Sequence, residues 1–136
     1  MRFDTKIAIV VREDLETWQK LNVTAFLSAA IGAASDGVIG EPYEDGSGRK
    51  YLAMLVQPVM VFRASAEQIR AAYERAVARD ARLAIFTEEL FATDNDVDNR
   101  AAVAAVPTGD LRLVGLALHE DRRVVDKVLR GLELHP

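Results

Sequence analysis

The chain has 136 residues, half of them hydrophobic and 28% charged, with a formal net charge of −4 and no cysteine. That length supports one domain around one core, and the composition is that of a globular chain, not a disordered one. The missing cysteine excludes disulfides, thiolate nucleophiles and sulfur-bound metals, and the acidic balance weighs against a nucleic-acid binder, whose phosphate contacts need a positive face.

No apolar run approaches the roughly 20 residues that cross a bilayer. The opening Met-Arg-Phe-Asp-Thr-Lys lacks the form of a secretory signal. The expectation is therefore a cytoplasmic protein with no membrane association and a single domain over residues 1–136.

In chain order, KIAIVV (6–11) is a β-branched run of strand length, the pattern of a strand covered on both faces. A helix follows, with Leu15, Trp18, Leu21, Ala25, Phe26, Ala29 and Ala33 at helical spacing. Val23, Leu27, Ala30 and Ile31 widen this stripe almost all round, which predicts deep burial. On that reading Trp18 and Phe26 lie in the core, and Trp18→Ala costs on the order of 3 kcal/mol.

Four polar residues, Lys20, Asn22, Thr24 and Ser28, interrupt this helix. A strand-to-helix junction exposes its first turn, so Lys20 and Asn22 are expected to line a cleft. Thr24 and Ser28 are expected to bond back to local carbonyls. Lys20 must meet water, a bound anion or a carboxylate such as Glu88 or Glu89, because an unpaired buried ammonium costs several kcal/mol.

The segment from Ser35 to Tyr51, with Gly37, Gly40, Pro42, Gly46 and Gly48, reads as a loop with a hairpin turn at Asp45 to Gly48. YLAMLVQPVMVF (51–62) is strand-like, with Pro58 implying an edge, a bulge or a break. SAEQ (65–68) has the capping-box form ahead of a helix that faces inward with Ile69, Ala72, Tyr73, Ala76 and Val77. RLAIF is a third strand, followed by an acidic loop and an alanine-rich helix capped by Thr93. LRLVGLAL is a fourth strand, and EDRRVVDKVLRGLEL a last helix that Gly131 can cap. Strands alternating with helices make an α/β fold.

Short motifs add little chemistry. GSGRK lacks the spacing and the following helix of a phosphate loop. DNDVD begins like an EF-hand loop, but Asn99 and Ala105 stand where glycine and a bidentate carboxylate are needed. The histidines, His119 and His135, are too few and too far apart for a metal site. No sequence pattern places a serine on a nucleophile elbow to join them. His119 falls where the fourth strand meets the last helix, a place where α/β folds often build sites.

Two stretches carry a resemblance. KIAIVVREDLETWQKLNVTAFLSAA is similar to the start of type II peptidyl-tRNA hydrolases, with Val11, Arg12, Asp14, Leu15, Ala29 and Ala30 matching. VGLALHEDRRVVDKVLRGLEL resembles that family's final strand and helix, with Val125-Asp126-Lys127-Val128 and Gly131-Leu132 in register. The whole sequence, with its Trp-Gln-Lys-Leu-Asn-Val core, looks closer still to an uncharacterised bacterial family, domain of unknown function 2000, related to that hydrolase fold. The resemblance implies a three-layer α/β/α sandwich with a mixed four-stranded sheet, and a homodimer. Lys20 or Gln19 falls near the family's turn lysine, Ser28 aligns with its helix histidine, and Glu88 and Glu89 lie nearest its aspartate, whose Asp-Ala-Gly-x-Thr setting is absent.

The functional expectation is an altered site built by the first helix, the glycine loop and the acidic loop. It binds a small ligand or acts on an unknown substrate through Asn22, Arg49, Lys50 and His119, with no cofactor and no metal. The alternative is a peptidyl-tRNA hydrolase in which Lys20 positions the ester and Glu88 or Glu89 activates water, making tRNA the less favoured partner. A third reading is a non-catalytic dimeric interaction module.

Overall fold

The computed structural model describes residues 2–136. Its main sheet has five strands in the order β5-β6-β1-β4-β7: β1 is Thr5–Arg12, β4 Val59–Ala64, β5 Ala84–Thr87, β6 Leu113–Asp121 and β7 Glu133–Leu134. β1 runs parallel to β4 and antiparallel to β6, so the sheet is mixed. As its sequence predicts, β1 is covered on both faces, and every residue from Ile7 to Val11 is at most 1% exposed.

One face of the sheet carries α1, Thr17–Ala34, and the other carries α2, Ala66–Ala78, with α4, Arg122–Val128. Ile7, Ile9 and Val11 of β1 pack with Val23, Leu27 and Ile31 of α1. Ala8 and Val10 point the other way, into a cluster with Ile69, Ala72 and Ala76 of α2 and Val125 and Val128 of α4. The period of two along β1 thus feeds two cores. At the crossing of α1 and β6 the helix comes so close that residue 115 has no room for a side chain. A Cβ on Gly115 would lie 2.4 Å from a Val23 methyl.

The capping box at α2 forms as expected: the Gln68 amide donates to Ser65 Oγ at 3.1 Å, and Ser65 N–H donates to Gln68 Oε1 at 2.9 Å. The hairpin also forms, with β2 (Tyr43–Glu44) antiparallel to β3 (Lys50–Tyr51) around a Gly48-to-Asp45 turn of 3.0 Å. Pro58 resolves as a break: the chain from Leu52 onward is irregular until β4 starts at Val59.

Four expectations are corrected. The sheet has five strands, not four, because the last helix stops at Val128 and Gly131, at φ 82°, turns the chain back so that β7 pairs with β4. The α3 helix, Asp96–Ala104, is capped by Asn95 and not by Thr93; the Asn95 side chain accepts from Asp98 N–H at 2.8 Å. Val77 does not face the core but is 53% exposed. Most consequential, Trp18 and Phe26 are not buried, being 57% and 56% exposed. Only the stripe Val23, Leu27 and Ile31 of α1 is buried against the sheet, and much of its remaining apolar surface faces outward.

Candidate functional site

Trp18, Asn22 and Phe26 stand four residues apart, which places them on one exposed stripe of α1. Across from them, β5 delivers Phe86, and the 3-10 turn Glu88–Ala92 delivers Leu90 and Phe91. The rings form a connected row. Trp18 meets Phe91 edge-on at 5.9 Å between centroids, Phe91 meets Phe86 at 5.0 Å, and Phe86 meets Phe26 edge-on at 5.8 Å. Edge-to-face contacts of this kind hold the rings in fixed orientations.

These rings floor an open cleft of about 440 Å³ whose rim is Thr93, Asp94, Asn95, Asp96 and Asn99. The rim is organised by its own amides: Asn95 Nδ2 donates to the carboxylates of Asp94 and Asp98 at 2.9 Å each. Thr93 Oγ1 bonds the Leu90 carbonyl at 3.1 Å and the Asn99 side chain. Asp96 is paired with Arg100 one turn along α3. No lysine or arginine lines the cleft, so its electrostatic character is set by Asp94 and Asp96.

A second concavity flanks α1 on the other side. Ala25, Ser28, Ala29, Gly32 and Ala33 form one wall, and Ile39, Tyr43, Met54 and Leu55 the opposite one, around about 850 Å³ of open apolar groove. Ser28, expected to bond within the helix, lines this groove instead, whereas Thr24 does bond back, to the Lys20 carbonyl at 2.8 Å.

The residues nominated from sequence are distributed over five places. Asn22 lines the aromatic cleft, with its Nδ2 on the Trp18 carbonyl at 3.3 Å. Lys20 does not reach Glu88 or Glu89; its ammonium donates to His135 Nε2 at 3.1 Å, and the His135 backbone N–H is fixed on Val61 at 2.8 Å. Glu88 is held by Arg12 at 2.7 Å and approached by Arg112 at 3.4 Å; Glu89 is held by Arg112 at 2.8 Å. Arg49 and Lys50 ride on the exposed hairpin, where Asp45 accepts from the backbone of Ser47 and Arg49 and from the Tyr51 hydroxyl. Neither lines the cleft or the groove. His119 lies near the end of β6, two residues before its junction with α4 at Asp121, and bonds Ser35 and Thr5.

This distribution has chemical consequences. The Arg112 guanidinium, with help from backbone contact, holds the Glu89 carboxyl below the usual carboxylate range. A carboxylate so stabilised is a poor base for water. The pair also sets an acid response. A lowered carboxyl stabilises the fold above its ordinary range, and that gain is lost as pH falls through the lowered value. Arg112 is well exposed, so solvent screening keeps that gain small. Thermal unfolding of the protein and of Glu89→Gln from about pH 7 to about pH 3 should show a gap that closes toward acid; a constant gap would refute the pairing.

Among the described residues no group of three or more histidine and carboxylate side chains is arranged to hold a metal ion. Among the same described residues no helix is long and apolar enough to cross a membrane. The aromatic row is hidden in the sequence because an all-round apolar helix places Trp18 and Phe26 in the core. The signal was present in the four-residue spacing of Trp18, Asn22 and Phe26, with a polar residue between two rings.

Comparison with known proteins supplies the ancestry. No curated protein matches the chain. A solved structure of a protein of unknown function from Agrobacterium tumefaciens strain C58 superposes with a TM-score of 0.96 at 43% identity, over 99% of this chain and 100% of that one. The model of the family described as protein of unknown function (DUF2000) matches residues 5–136. With its strands, helices and both flanks of α1 inside that span, the chain belongs to the DUF2000 family.

Proposed function

We propose that this protein is a cytoplasmic, homodimeric binder of a small ligand with an apolar body and a positively charged, hydrogen-bond-donating end. The observation that carries the reading is a row of four aromatic rings beneath an acidic rim, whose helix members Trp18 and Phe26 are more than half exposed and rest against the buried Phe86 and the partly buried Phe91. Exposing Trp18 and Phe26 forgoes the burial their side chains would otherwise contribute, which is sensible where another molecule covers them. The rim offers acceptors, Asp94 above all, and no cation, so an amine is favoured over a phosphate or carboxylate.

The same electrostatics bear on the hydrolase alternative. A relation to the type II peptidyl-tRNA hydrolase fold is part of this reading, supported by the β1–α1 start and the β6–α4 close. Ester hydrolysis is not part of it. Lys20 is engaged by His135, and Glu88 and Glu89 by arginines, so the proposed lysine and base are neither free nor together.

The homodimer rests on a different surface. Leu21, Ile39, Tyr43, Tyr51, Leu52, Met54 and Val56 are each 44% to 87% exposed. Ile39, Tyr43 and Met54 share one groove with the small residues of α1. Large side chains in that number present apolar area of the order a standard interface requires, about 800 Å² per partner. Ala25, Ala29 and Ala33 sit one turn apart and would let a second copy's backbone approach closely.

The test uses Trp18 as reporter, since it is the chain's only tryptophan. Titration with arylalkylamines should shift its fluorescence saturably, and matched aryl phosphates should not. Phe91→Ala should weaken amine binding about tenfold or more, by removing a buried ring face. Trp18→Ala should lower stability by only about 1 kcal/mol, the worth of an exposed edge contact. Release of peptide from peptidyl-tRNA at a rate abolished by Lys20→Ala would replace this reading with the hydrolase.

A further inference from the structure

At the far end of α1 from the aromatic cleft, a hydrogen-bonded chain fixes where four protons reside. Gln57 Nε2 donates to the Thr5 carbonyl at 3.1 Å, which turns Gln57 Oε1 toward the Thr5 hydroxyl, whose proton it accepts at 3.3 Å. The single Thr5 hydroxyl proton is therefore used on Gln57. Thr5 Oγ1 meets His119 Nε2 at 2.8 Å and has only lone pairs left to offer, so Nε2 carries the imidazole proton. His119 Nδ1 is then a bare acceptor, and the group facing it at 3.0 Å is the Ser35 hydroxyl. The wiring points the Ser35 proton at an imidazole whose orientation is locked from behind, the relation of a nucleophile to its general base.

The surroundings suit that relation. Ser35 caps the C-terminal end of α1, its N–H on the Ile31 carbonyl, so its side chain is carried on a fixed backbone. Ser35 and His119 open into a pocket of about 130 Å³ with apolar walls from Ile31, Ala34 and Leu83. A cavity of about 150 Å³ accepts a benzene ring, so this one suits an acyl group of a few carbons. Arg82, reaching the Ala34 carbonyl at 3.5 Å, lines the same pocket and brings positive charge to where a carbonyl oxygen would become an oxyanion.

We infer that Ser35 and His119 form a catalytic dyad that cleaves small-acyl esters, with Thr5 and Gln57 as positioning residues. Ser35 Oγ bonds to the acyl carbon as its proton passes to His119 Nδ1. The ester C–O bond breaks, and Nδ1 returns the proton to the departing alcohol. Water then attacks the acyl-serine, gives its proton to Nδ1, and Ser35 leaves with it. The sum is ester plus water to acid plus alcohol, with no oxidant or reductant. The dyad is independent of the amine cleft, and each stands or falls on its own assay.

The full chain is incubated with an alkyl fluorophosphonate and, separately, with 4-nitrophenyl acetate, and the adduct is located by peptide mass mapping. Ser35 should be labelled at least about 100-fold faster than Ser28 or Ser47, which serve as internal references. Ester turnover should fall by a similar factor in Ser35→Ala and in His119→Gln. Thr5→Val should slow labelling while Thr5→Ser restores it, at matched thermal stability. That readout keeps the inference testable if His119→Gln fails to fold. Absence of an adduct on Ser35 in the unaltered chain, or labelling that is indifferent to both His119→Gln and Thr5→Val, would overturn the dyad and leave His119 a structural tie between β1, β6 and α1.

Discussion

Replacing Gly115 with alanine is expected to destabilise the fold by about 1–3 kcal/mol, the range for overpacking a tight core. The new methyl would stand 2.4 Å from Val23 Cγ1, 3.0 Å from Leu27 Cδ1 and 3.4 Å from the Val10 carbonyl. None of these neighbours can yield cheaply. Val23 is fully buried and Leu27 is 2% exposed, so neither side chain can swing into solvent, and the Val10 carbonyl belongs to the central strand. Relief requires α1 to lift from β6, which opens contacts along the whole Val23–Leu27–Ile31 stripe. Denaturant titration measures the cost. Adding Val23→Ala should return part of it, because the two changes share one volume. An unchanged midpoint for Gly115→Ala would mean that α1 is not seated on β6 as described. The prediction touches function too, since the seating of α1 sets the positions of Trp18 and Phe26 over β5.

How far the chain's sequence discloses this molecule depends on whether the determining contacts are local. The buried run Ile7–Val11, the Ser65–Gln68 capping box and the Asp45–Gly48 turn are each decided within a few residues, and each is legible. β7 is not, because two residues beyond a glycine turn carry no period to detect. The exposure of α1 is illegible for a different reason. A helix apolar all round says that its surface will be covered, but not whether by its own sheet or by another molecule. Deep burial is the reading when the chain supplies every partner; here the sheet covers one stripe and leaves Trp18, Leu21 and Phe26 outside. The site residues follow the same rule. Asn22 could be placed at a cleft from its position after β1. The bonds of His119 to Ser35 and Thr5, and of Lys20 to His135, join residues 84, 114 and 115 positions apart, which no local pattern encodes.

Met54→Asp should convert the proposed homodimer to monomers while leaving the protomer folded. Met54 lies in the apolar groove opposite the small residues of α1 and is 57% exposed in the single chain. Because it is exposed, an aspartate there keeps its water in the monomer, and the cost to folding should stay within about 0.5 kcal/mol, as for ordinary surface changes. In the dimer the same carboxylate would be trapped against Ile39, Tyr43 and Leu55 and their counterparts, and stripping an unpaired charge of water costs several kcal/mol. At about 1.4 kcal/mol per tenfold, a penalty of even 3 kcal/mol weakens association roughly 100-fold. Light scattering over a concentration series should therefore show a dimer for the unaltered chain at micromolar concentration and a monomer for Met54→Asp. Val97→Asp, at a 68% exposed apolar site on α3, controls for charge alone and should leave the dimer intact. If the unaltered chain is itself monomeric, the groove has another occupant and the dimer is withdrawn. If Met54→Asp stays dimeric, the interface lies elsewhere on the apolar surface, and Leu52→Asp, at the 87% exposed neighbouring position, distinguishes the hairpin side of the band from α1. Assembly through this groove would leave the two ends of α1 with separate tasks, the ring-floored cleft at its start and the Ser35 pocket at its finish, joined by a helix whose middle holds two copies together.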